Sequence, residues 1–407
     1  MDPLLSGDVG LAEVLIVLLK VVVVFGFLLV AVMLMIWFER KLISDMQNRI
    51  GPDLAGPWGL FQTFADGVKF FFKEDLKPVR AELGVFRLAP YLSIVPAFLA
   101  FCIVPIGGNF SGDDNGVVTI FGHDTFLQVA DPPIGILLFL ALSSIAVYGV
   151  MLAGWSSGSK YPLLGSVRAT AQMISYEAAL GLSVAAVILV TGTLSTNGIV
   201  DAQAATTTLP GVGWEVPSWN LWITGVVPFF IFVLAATAEL NRPPFDLVEA
   251  EQEIVGGFHT EYSSIRFALF FLAEFMNVIT MSAIIVTLFL GGPAGPTPFG
   301  PELMWGPLWF FLKVFLFLFM FVWFRATLPR FRYDQLMDLG WKGLIPVALG
   351  WLLVLAGVRI ARDEDWEPLL VAGIGVAVFA LAWLLLERAI STARAARAEA
   401  GGTKVFD

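Results

Sequence analysis

The chain has 407 residues, of which 57% are hydrophobic and 14% are charged, and its mean hydropathy is +0.81. No soluble domain of this length has that composition, so the chain is predicted to be a polytopic membrane protein. Its long unbroken apolar runs predict helices and exclude barrel strands, because backbone polar groups in lipid must be satisfied within the segment. The net charge of −10 is accompanied by no basic aromatic motif, so no nucleic-acid partner is expected.

One cysteine, Cys102, and two histidines, His123 and His259, limit the redox chemistry of the chain. They form no C-x-x-C motif and no histidine pair at ligand spacing. The chain alone therefore cannot hold an iron–sulfur cluster, a haem with two histidine ligands or a structural zinc. Any redox centre must belong to a partner.

Nine membrane spans are predicted, and the first covers residues 11–38. Lys20 interrupts that first span, and either a buried partner or snorkelling to the interface would explain it. No cleaved signal peptide is expected, because the start has no basic region. The other eight spans are expected at residues 88–107, 132–155, 166–191, 219–240, 263–291, 307–328, 342–360 and 367–388.

The longest polar stretch of the chain follows the first span and contains a predicted amphipathic helix at residues 58–73. Phenylalanines recur on one side of this helix, while Gln62, Asp66, Lys69 and Lys73 recur on the other. Such a helix lies in the interface plane. A simple surface anchor explains the phenylalanines, but it explains Asp66 less well because lipid headgroups favour cations.

The distribution of lysine and arginine predicts the orientation. Twenty of the 24 lie in the connections at 39–87, 156–168, 241–266 and 325–342 or in the tail from residue 388, and none lies at 108–131, 192–218 or 292–306. The positive-inside rule then places the N-terminus outside and the C-terminus in the cytoplasm. The unusual polar stretches all fall on the cytoplasmic side or in the adjacent helix halves.

The fourth predicted span carries an acid on a face of its own. Arg168, Gln172 and Ser175 share one side of the helix, and Glu177 points the opposite way. Its carboxyl group must face another helix or a water-filled path, or be protonated. On spacing alone, a polar contact between helices and a proton site are equally favoured.

Residues 239–274 carry seven carboxylates against only Arg242 and Arg266. An ionisable group at or inside a membrane boundary marks an ion pathway, a proton relay or a polar substrate site. Crowded carboxyl groups also separate in proton affinity, which suits proton movement. The seven are Glu239, Asp246, Glu249, Glu251, Glu253, Glu261 and Glu274.

Part of this acidic stretch has an ordinary structural explanation. Asp246 and Glu249 fit a D-x-x-E capping box after two prolines, and Glu251 and Glu253 fit the solvated face of the same short helix. No such explanation fits Glu239 and Glu274, which lie inside apolar sequence.

A third polar stretch groups Arg325, Arg330, Arg332 and Asp334 around Pro329. Positive-inside anchoring accounts for these arginines, and the run also suits docking of a soluble partner.

Four long stretches of the sequence resemble one family, the H subunits of NADH-quinone oxidoreductase, which are the quinone-chamber membrane subunits of respiratory complex I. The stretches are ERKLISDMQNRIGPDLAGPWGLFQTFADGVKFFFKE, SKYPLLGSVRATAQMISYE, AELNRPPFDLVEAEQE with EYSSIRFALFFLAE, and LPRFRYDQLMDLGWK. The resemblance covers roughly residues 10–360, so residues 1–360 are expected to form the family core. The family typically has eight spans, and residues 361–407 are expected to add a ninth helix and a cytoplasmic tail.

This resemblance implies a role at the junction with the hydrophilic arm of the complex. The family carries no redox centre, so NADH, FMN and iron–sulfur clusters belong to partner subunits, and the quinone, ubiquinone or menaquinone, is the substrate. It implies a quinone tunnel near Arg40, Arg49, Asp66, Lys69, Arg325 and Arg330. It implies a proton path through Glu177, Glu239, Arg242, Glu249, Glu251, Glu253 and Glu274.

The resemblance also implies partners and a location. The partners are the hydrophilic quinone-site and iron–sulfur subunits, small membrane subunits, antiporter-like subunits and the lipid bilayer. The location is the bacterial cell (inner) membrane.

Two other functions are compatible with buried acids. A membrane anchor of an energy-converting hydrogenase or of a deazaflavin-dependent dehydrogenase would share the acidic loop, but the match from the first stretch to the last favours the quinone enzyme. A proton-coupled secondary transporter is disfavoured because the sequence shows no internal repeat and no paired broken helices.

Overall fold

A computed structural model of the chain describes residues 2–5, 10–110, 115–208, 215–247, 254–297 and 302–399. In chain order its helices are α1 (Leu11–Met46), α2 (Phe61–Phe72), α3 (Leu83–Phe101), α4 (Gly135–Ser156), α5 (Lys160–Thr191), α6 (Thr196–Ala204), α7 (Asn220–Ile223), α8 (Val226–Glu239), α9 (Ser264–Phe289), α10 (Glu302–Thr327), α11 (Tyr333–Asp338), α12 (Ile345–Asp363) and α13 (Pro368–Glu399). Between α11 and α12 lies a π-helical turn, Leu339–Leu344.

Seven helical segments among the described residues are long and apolar enough to cross a membrane. They are Leu11–Met46, Leu83–Phe101, Gly135–Ser156, Lys160–Thr191, Ser264–Phe289, Met304–Thr327 and Tyr333–Asp363. The predicted spans at 219–240 and 367–388 correspond to two shorter apolar segments, Val226–Glu239 and Pro368–Leu384. The polytopic helical class is therefore confirmed, and the count of nine spans stays a prediction.

Several helix boundaries differ from the predicted ones for identifiable reasons. The apolar run at 219–240 is divided at Gly225, whose φ of 77° is incompatible with a continuous right-handed helix. The first helix continues past residue 38 to Met46, because charged residues at the end of an apolar run do not interrupt helical hydrogen bonds. The second span begins at Leu83 instead of residue 88 and ends at Phe101 instead of 107.

Two small hairpins lie in the connections between the long apolar segments. Strands β1 (Val117–Ile120) and β2 (His123–Phe126) pair antiparallel, as do β3 (Thr206–Thr208) and β4 (Glu215–Pro217). The turn between β1 and β2 places Phe121 and Gly122 at positive φ, as a two-residue hairpin requires. These short strands add local structure to the connections and leave the helical class unchanged.

Helix α9 lies at the centre of the packing. It contacts α1, α2, α3 and α10, and every residue from Val278 to Phe289 is buried. A helix that is apolar on all sides is expected to be surrounded by other helices. Helices α3, α4, α5 and α8 pack on one another in succession.

The backbone contacts divide the chain into two compact units, Met1–Ile345 and Pro346–Asp407. In the second unit, the Phe379 ring lies against Gly350, where an added Cβ would come within 2.1 Å of a ring carbon. The functional boundary predicted at residue 360 stays a prediction.

Lys20 has a buried partner, which decides between its two predicted explanations. Its Nζ lies 2.9 Å from the Asp2 carboxylate, and the Lys20 side chain is 10% exposed. The same carboxylate accepts from the Thr125 hydroxyl at 2.9 Å. The ion pair therefore ties the N-terminal segment to α1 and to the β1–β2 hairpin.

The predicted orientation can be tested at exposed turns. A reporter inserted between Phe121 and Gly122, where Phe121 is 82% exposed, should report an extracytoplasmic position. A reporter at the exposed Val79 and one fused after Asp407 should both be cytoplasmic. The measurement is paired phosphatase and fluorescent-protein fusions. An external signal from the C-terminal fusion would contradict the nine-span topology.

Candidate functional site

A buried arginine joins two carboxylates from different helices. Arg242 follows α8 and is 3% exposed. Its Nη1 donates to both carboxylate oxygens of Glu39 on α1 at 3.1 Å, and its Nη2 lies 3.1 Å from Oε1 of Glu274 on α9. The guanidinium also lies 4.9 Å from the centroid of the Phe275 ring. Burial of this charge is tolerable because both of its ends meet opposite charge.

Glu39 belongs to the site although sequence reasoning did not select it. It is 5% exposed and accepts from a second guanidinium, that of Arg325 on α10. The prediction ended the first span just before Glu39 and treated the residue as part of a polar boundary. Its position directly after an apolar run was the available signal, but its two arginine partners come from distant parts of the chain.

A cavity of about 550 Å³ lies beside these charges. We call it the arginine cavity, because Arg40, Arg49 and Arg325 line it together with Glu39. Its remaining wall is mostly apolar and includes side chains of α1 and α9. Three of the six residues that the resemblance places near a tunnel therefore share one cavity.

A second cavity, of about 360 Å³, adjoins the first. We call it the α2 cavity, since Asp66 and Lys69 line it with apolar residues of α1, α2 and α9. Arg40 and Phe271 line both cavities. The predicted two-sided pattern of the amphipathic helix is present in part, because Asp66 faces Arg40 while Phe61 and Phe64 are exposed. Phe71 departs from it and lines the α2 cavity together with Asp66.

The Asp66 carboxylate forms ion pairs with two cationic side chains. Its Oδ2 accepts from Arg40 Nη1 at 2.6 Å, and its Oδ1 lies 3.6 Å from Lys69 Nζ. Partial burial alone would raise the pKa of Asp66. The hydrogen bond and charge of Arg40, together with Lys69 and Gln62, outweigh burial and bring the pKa below its ordinary value. Asp66 is therefore ionised at neutral pH.

Arg330 lies elsewhere. Its Nη2 is 3.0 Å from the Asp246 carboxylate, and it lines neither the arginine cavity nor the α2 cavity. Asp246 is thus an ion-pair partner among the described residues. Its predicted capping partner Glu249, with Glu251 and Glu253, lies outside the described residues.

A third cavity, of about 100 Å³, holds two of the predicted proton-path acids. We call it the acid cavity, because Glu239 and Glu274 line it in otherwise largely apolar surroundings. Glu239 accepts from the Ser143 hydroxyl, and its other carboxylate oxygen is buried without a hydrogen-bond partner among the described residues. Glu274 contacts Arg242 as well, so it connects the acid cavity to the ion pairs beside the arginine cavity.

Glu177 faces α4, on the opposite side of α5 from Gln172. It accepts from the Ser144 hydroxyl, whereas Gln172 donates to the carbonyl oxygens of Ala238 at 2.7 Å and Phe245 at 2.9 Å. The predicted opposition of the two faces is confirmed. Ser143 and Ser144 are consecutive, and each holds a different predicted proton-path acid. Sequence reasoning missed both, because serine in an apolar run gives no signal of its partner.

The described residues contain no group of three or more His, Cys, Asp or Glu side chains placed to hold a metal ion. Fold and site together define a polytopic helical membrane protein with buried ion pairs between adjoining cavities. The sequence profile of the NADH dehydrogenase family matches residues 19–356. The chain belongs to this family, among the H subunits of NADH-quinone oxidoreductase, and is a membrane subunit of that enzyme complex, as its motifs predicted.

Three relatives, each an H subunit of NADH-quinone oxidoreductase, illustrate the similarity. The relative from Frankia alni is 50% identical over 392 residues, which are 94% of this chain and 82% of the relative. The relative from Frankia casuarinae is 51% identical over 369 residues, covering 89% of this chain and 77% of the relative. The relative from Cutibacterium acnes is 44% identical over 390 residues, covering 94% of this chain and 86% of the relative.

Proposed function

We propose that this chain forms the quinone access tunnel of NADH-quinone oxidoreductase and couples quinone reduction to proton translocation through buried glutamates. The observation that carries the proposal is the row of contacts from Glu39 through Arg242 to Glu274. Glu39 lines the arginine cavity and Glu274 lines the acid cavity. A change of charge in one cavity therefore alters the electrostatic potential in the other.

The arginine cavity and the α2 cavity have the chemistry that a quinone needs. An isoprenoid tail requires only apolar surface, which α1, α2 and α9 supply. Reduction places transient negative charge on the head group, and guanidinium groups stabilise such charge. Arg40 lines both cavities, so we assign to it the position where tail and head group meet.

The ion pairs supply the coupling. An anionic head group in the arginine cavity would compete with Glu39 for the guanidinium group of Arg325. The Glu39 carboxylate would then be neutralised mainly by Arg242. Because Arg242 also contacts Glu274, protonation at Glu274 responds to the charge of the quinone. Glu239 lines the same cavity as Glu274, and Glu177 is near enough to Glu239 to influence it electrostatically.

The proposed setting follows from the family. Electrons would come from NADH through FMN and iron–sulfur clusters in partner subunits, including the hydrophilic quinone-site subunit. Protons would continue into small membrane subunits and antiporter-like subunits. The chain would be a multi-pass protein of the bacterial cell (inner) membrane, with its N-terminus outside and its C-terminus in the cytoplasm. Glu249, Glu251 and Glu253 keep their proposed place in the proton path.

We expect Glu239→Gln and Glu274→Gln to spare assembly and to lower quinone reduction and coupled proton movement by about tenfold, which corresponds to roughly 1.4 kcal/mol in an activation barrier. Glutamine keeps the shape of the side chain and removes the titrating proton. The measurement is NADH-dependent quinone reduction and vesicle acidification, normalised to assembled complex. Glu82→Gln is the matched control, because Glu82 is exposed and precedes α3. Parental rates in both glutamine variants would refute the glutamate path.

A further inference from the structure

His259 lies in a short turn between two cavities. It ends the 3-10 turn Gly257–His259, which precedes α9. The residue lines the acid cavity and also a fourth cavity of about 440 Å³, which we call the lysine cavity because Lys69 and Lys73 line it. Among the described residues, His259 is the one titratable side chain that lines both of these cavities.

The lysine cavity lies where two predicted cytoplasmic connections meet. The Ser263 hydroxyl donates to the Glu74 carbonyl at 3.0 Å, and Arg266 lies 3.1 Å from the Asp75 carboxylate. The side chain of Lys69 is 60% exposed, and Thr260, Ser263 and Ser264 also line the cavity. This cavity is therefore a polar recess, in contrast to the largely apolar acid cavity.

The apolar surroundings of the His259 ring disfavour its protonated, charged form. Phe258 and Phe267 contact the imidazole edge to face, with ring centroids 5.0 and 5.3 Å away. Phe258 itself packs on Val150 of α4 and on α5, so these two helices present apolar side chains to the turn. The titratable groups that line the two cavities with His259 are Lys69 of α2, Lys73 directly after it, Glu239 of α8, Glu274 of α9 and Tyr262.

Burial lowers the pKa of His259 to about 4, so the ring is neutral at pH 7. A neutral imidazole carries one nitrogen that accepts a proton and one that donates a proton. Such a ring can accept a proton at one nitrogen while it releases a proton from the other. It therefore transfers a proton without keeping a net charge in apolar surroundings.

We propose that His259 is a proton-relay residue that carries protons between the lysine cavity and the acid cavity. One ring nitrogen takes a proton from protonated water that enters the lysine cavity from bulk solvent, leaving neutral water. As it does so, the other nitrogen releases its own proton to the ionised carboxylate of Glu239 or Glu274. Rotation of the ring, which exchanges the positions of the two nitrogens, restores the starting state, so no net proton remains on the imidazole. The relay rests on the proposed function, because it supplies protons to the glutamates of that path.

The test uses the assembled complex in sealed membrane vesicles. We expect His259→Gln and His259→Ala to assemble normally and to lower coupled quinone reduction and proton uptake by about tenfold, because neither side chain can transfer a proton. Added imidazole should restore part of the rate of His259→Ala, because a small diffusible base replaces the lost ring. His123→Gln is the matched control, since His123 lies on the β1–β2 hairpin beside Glu13 and lines neither cavity.

Two results would overturn the relay. One is a parental rate in His259→Gln, and the other is a loss of rate in His259→Ala that imidazole does not restore, which would identify a packing role. The glutamate variants separate this outcome from a failure of the proposed function. If Glu239→Gln and Glu274→Gln are impaired while His259→Gln is not, the glutamate path stands and protons reach it by another route.

Discussion

Replacing Arg242 by methionine is expected to reduce the amount of assembled complex and to abolish quinone reduction in the complex that remains. Arg242 is 3% exposed and contacts carboxylates of both α1 and α9. Removing one member of a fully buried ion pair costs about 3–5 kcal/mol. The cost here is smaller, because Glu39 keeps Arg325 and the Glu274 side chain is 29% exposed. The measurement is the yield of complex on native gels together with its quinone reductase rate.

A double variant separates the structural part of this effect from the coupling part. Glu39 keeps Arg325 when Arg242 is lost, so the carboxylate that loses its arginine is that of Glu274. Combining Arg242→Met with Glu274→Gln removes that charge, and we expect the double variant to assemble better than Arg242→Met alone. Quinone reduction should stay low in the double variant, because the connection between the two cavities is missing. Recovery of the full rate would show that Arg242 has only a packing role.

Helix α9 contributes lining residues to all four cavities of the site. Phe267, Phe271 and Glu274 recur at spacings of four and three residues, so they lie on the same side of the helix. Phe271 lines the arginine, α2 and acid cavities, and Phe267 lines the α2, acid and lysine cavities. The proposed quinone tunnel and the proposed proton path are therefore separated by little more than one row of side chains.

The sequence predicted those features that are visible in neighbouring residues or in a family motif. Long apolar runs predicted seven of the helices that can span a membrane, and helical spacing predicted that Gln172 and Glu177 face opposite ways. The motifs of the family also brought Arg40, Arg49 and Arg325 together before any geometry was known. Each of these conclusions needs only the neighbouring sequence or a family pattern.

The remainder depended on contacts between distant parts of the chain. Glu39 meets Arg242 and Arg325, which lie 203 and 286 residues away in sequence. Ser144 is likewise defined as part of the site only by its contact with Glu177 on another helix. No periodicity reports such pairings, because tertiary packing chooses them. The two short hairpins also escaped prediction, since strands of three or four residues give little alternation to detect.

Replacing Arg40 by methionine is expected to lower quinone reduction by about a hundredfold, or roughly 2.7 kcal/mol in the activation barrier. Arg40 lines both proposed tunnel cavities and donates to Asp66 at 2.6 Å, so its loss removes a cation from the head-group region and the partner that orients Asp66. Electron transfer from NADH to a soluble artificial acceptor should continue, because in the proposed function those electrons reach clusters of partner subunits without entering this chain. The measurement is the two rates side by side on the same membranes.

A conservative variant of Arg40, substitutions of its neighbours in α2 and a control variant complete this test. Arg40→Lys keeps the cation and loses the planar fork of donors, so an intermediate rate is expected. Asp66→Asn and Lys69→Met should give smaller losses, since Arg40 remains in the proposed tunnel. Arg359→Met is the matched control, because the Arg359 side chain on α12 is 55% exposed and lines none of the four site cavities. Equal loss of quinone reduction and of artificial-acceptor activity in Arg40→Met would indicate failed assembly and would count against a tunnel role for Arg40.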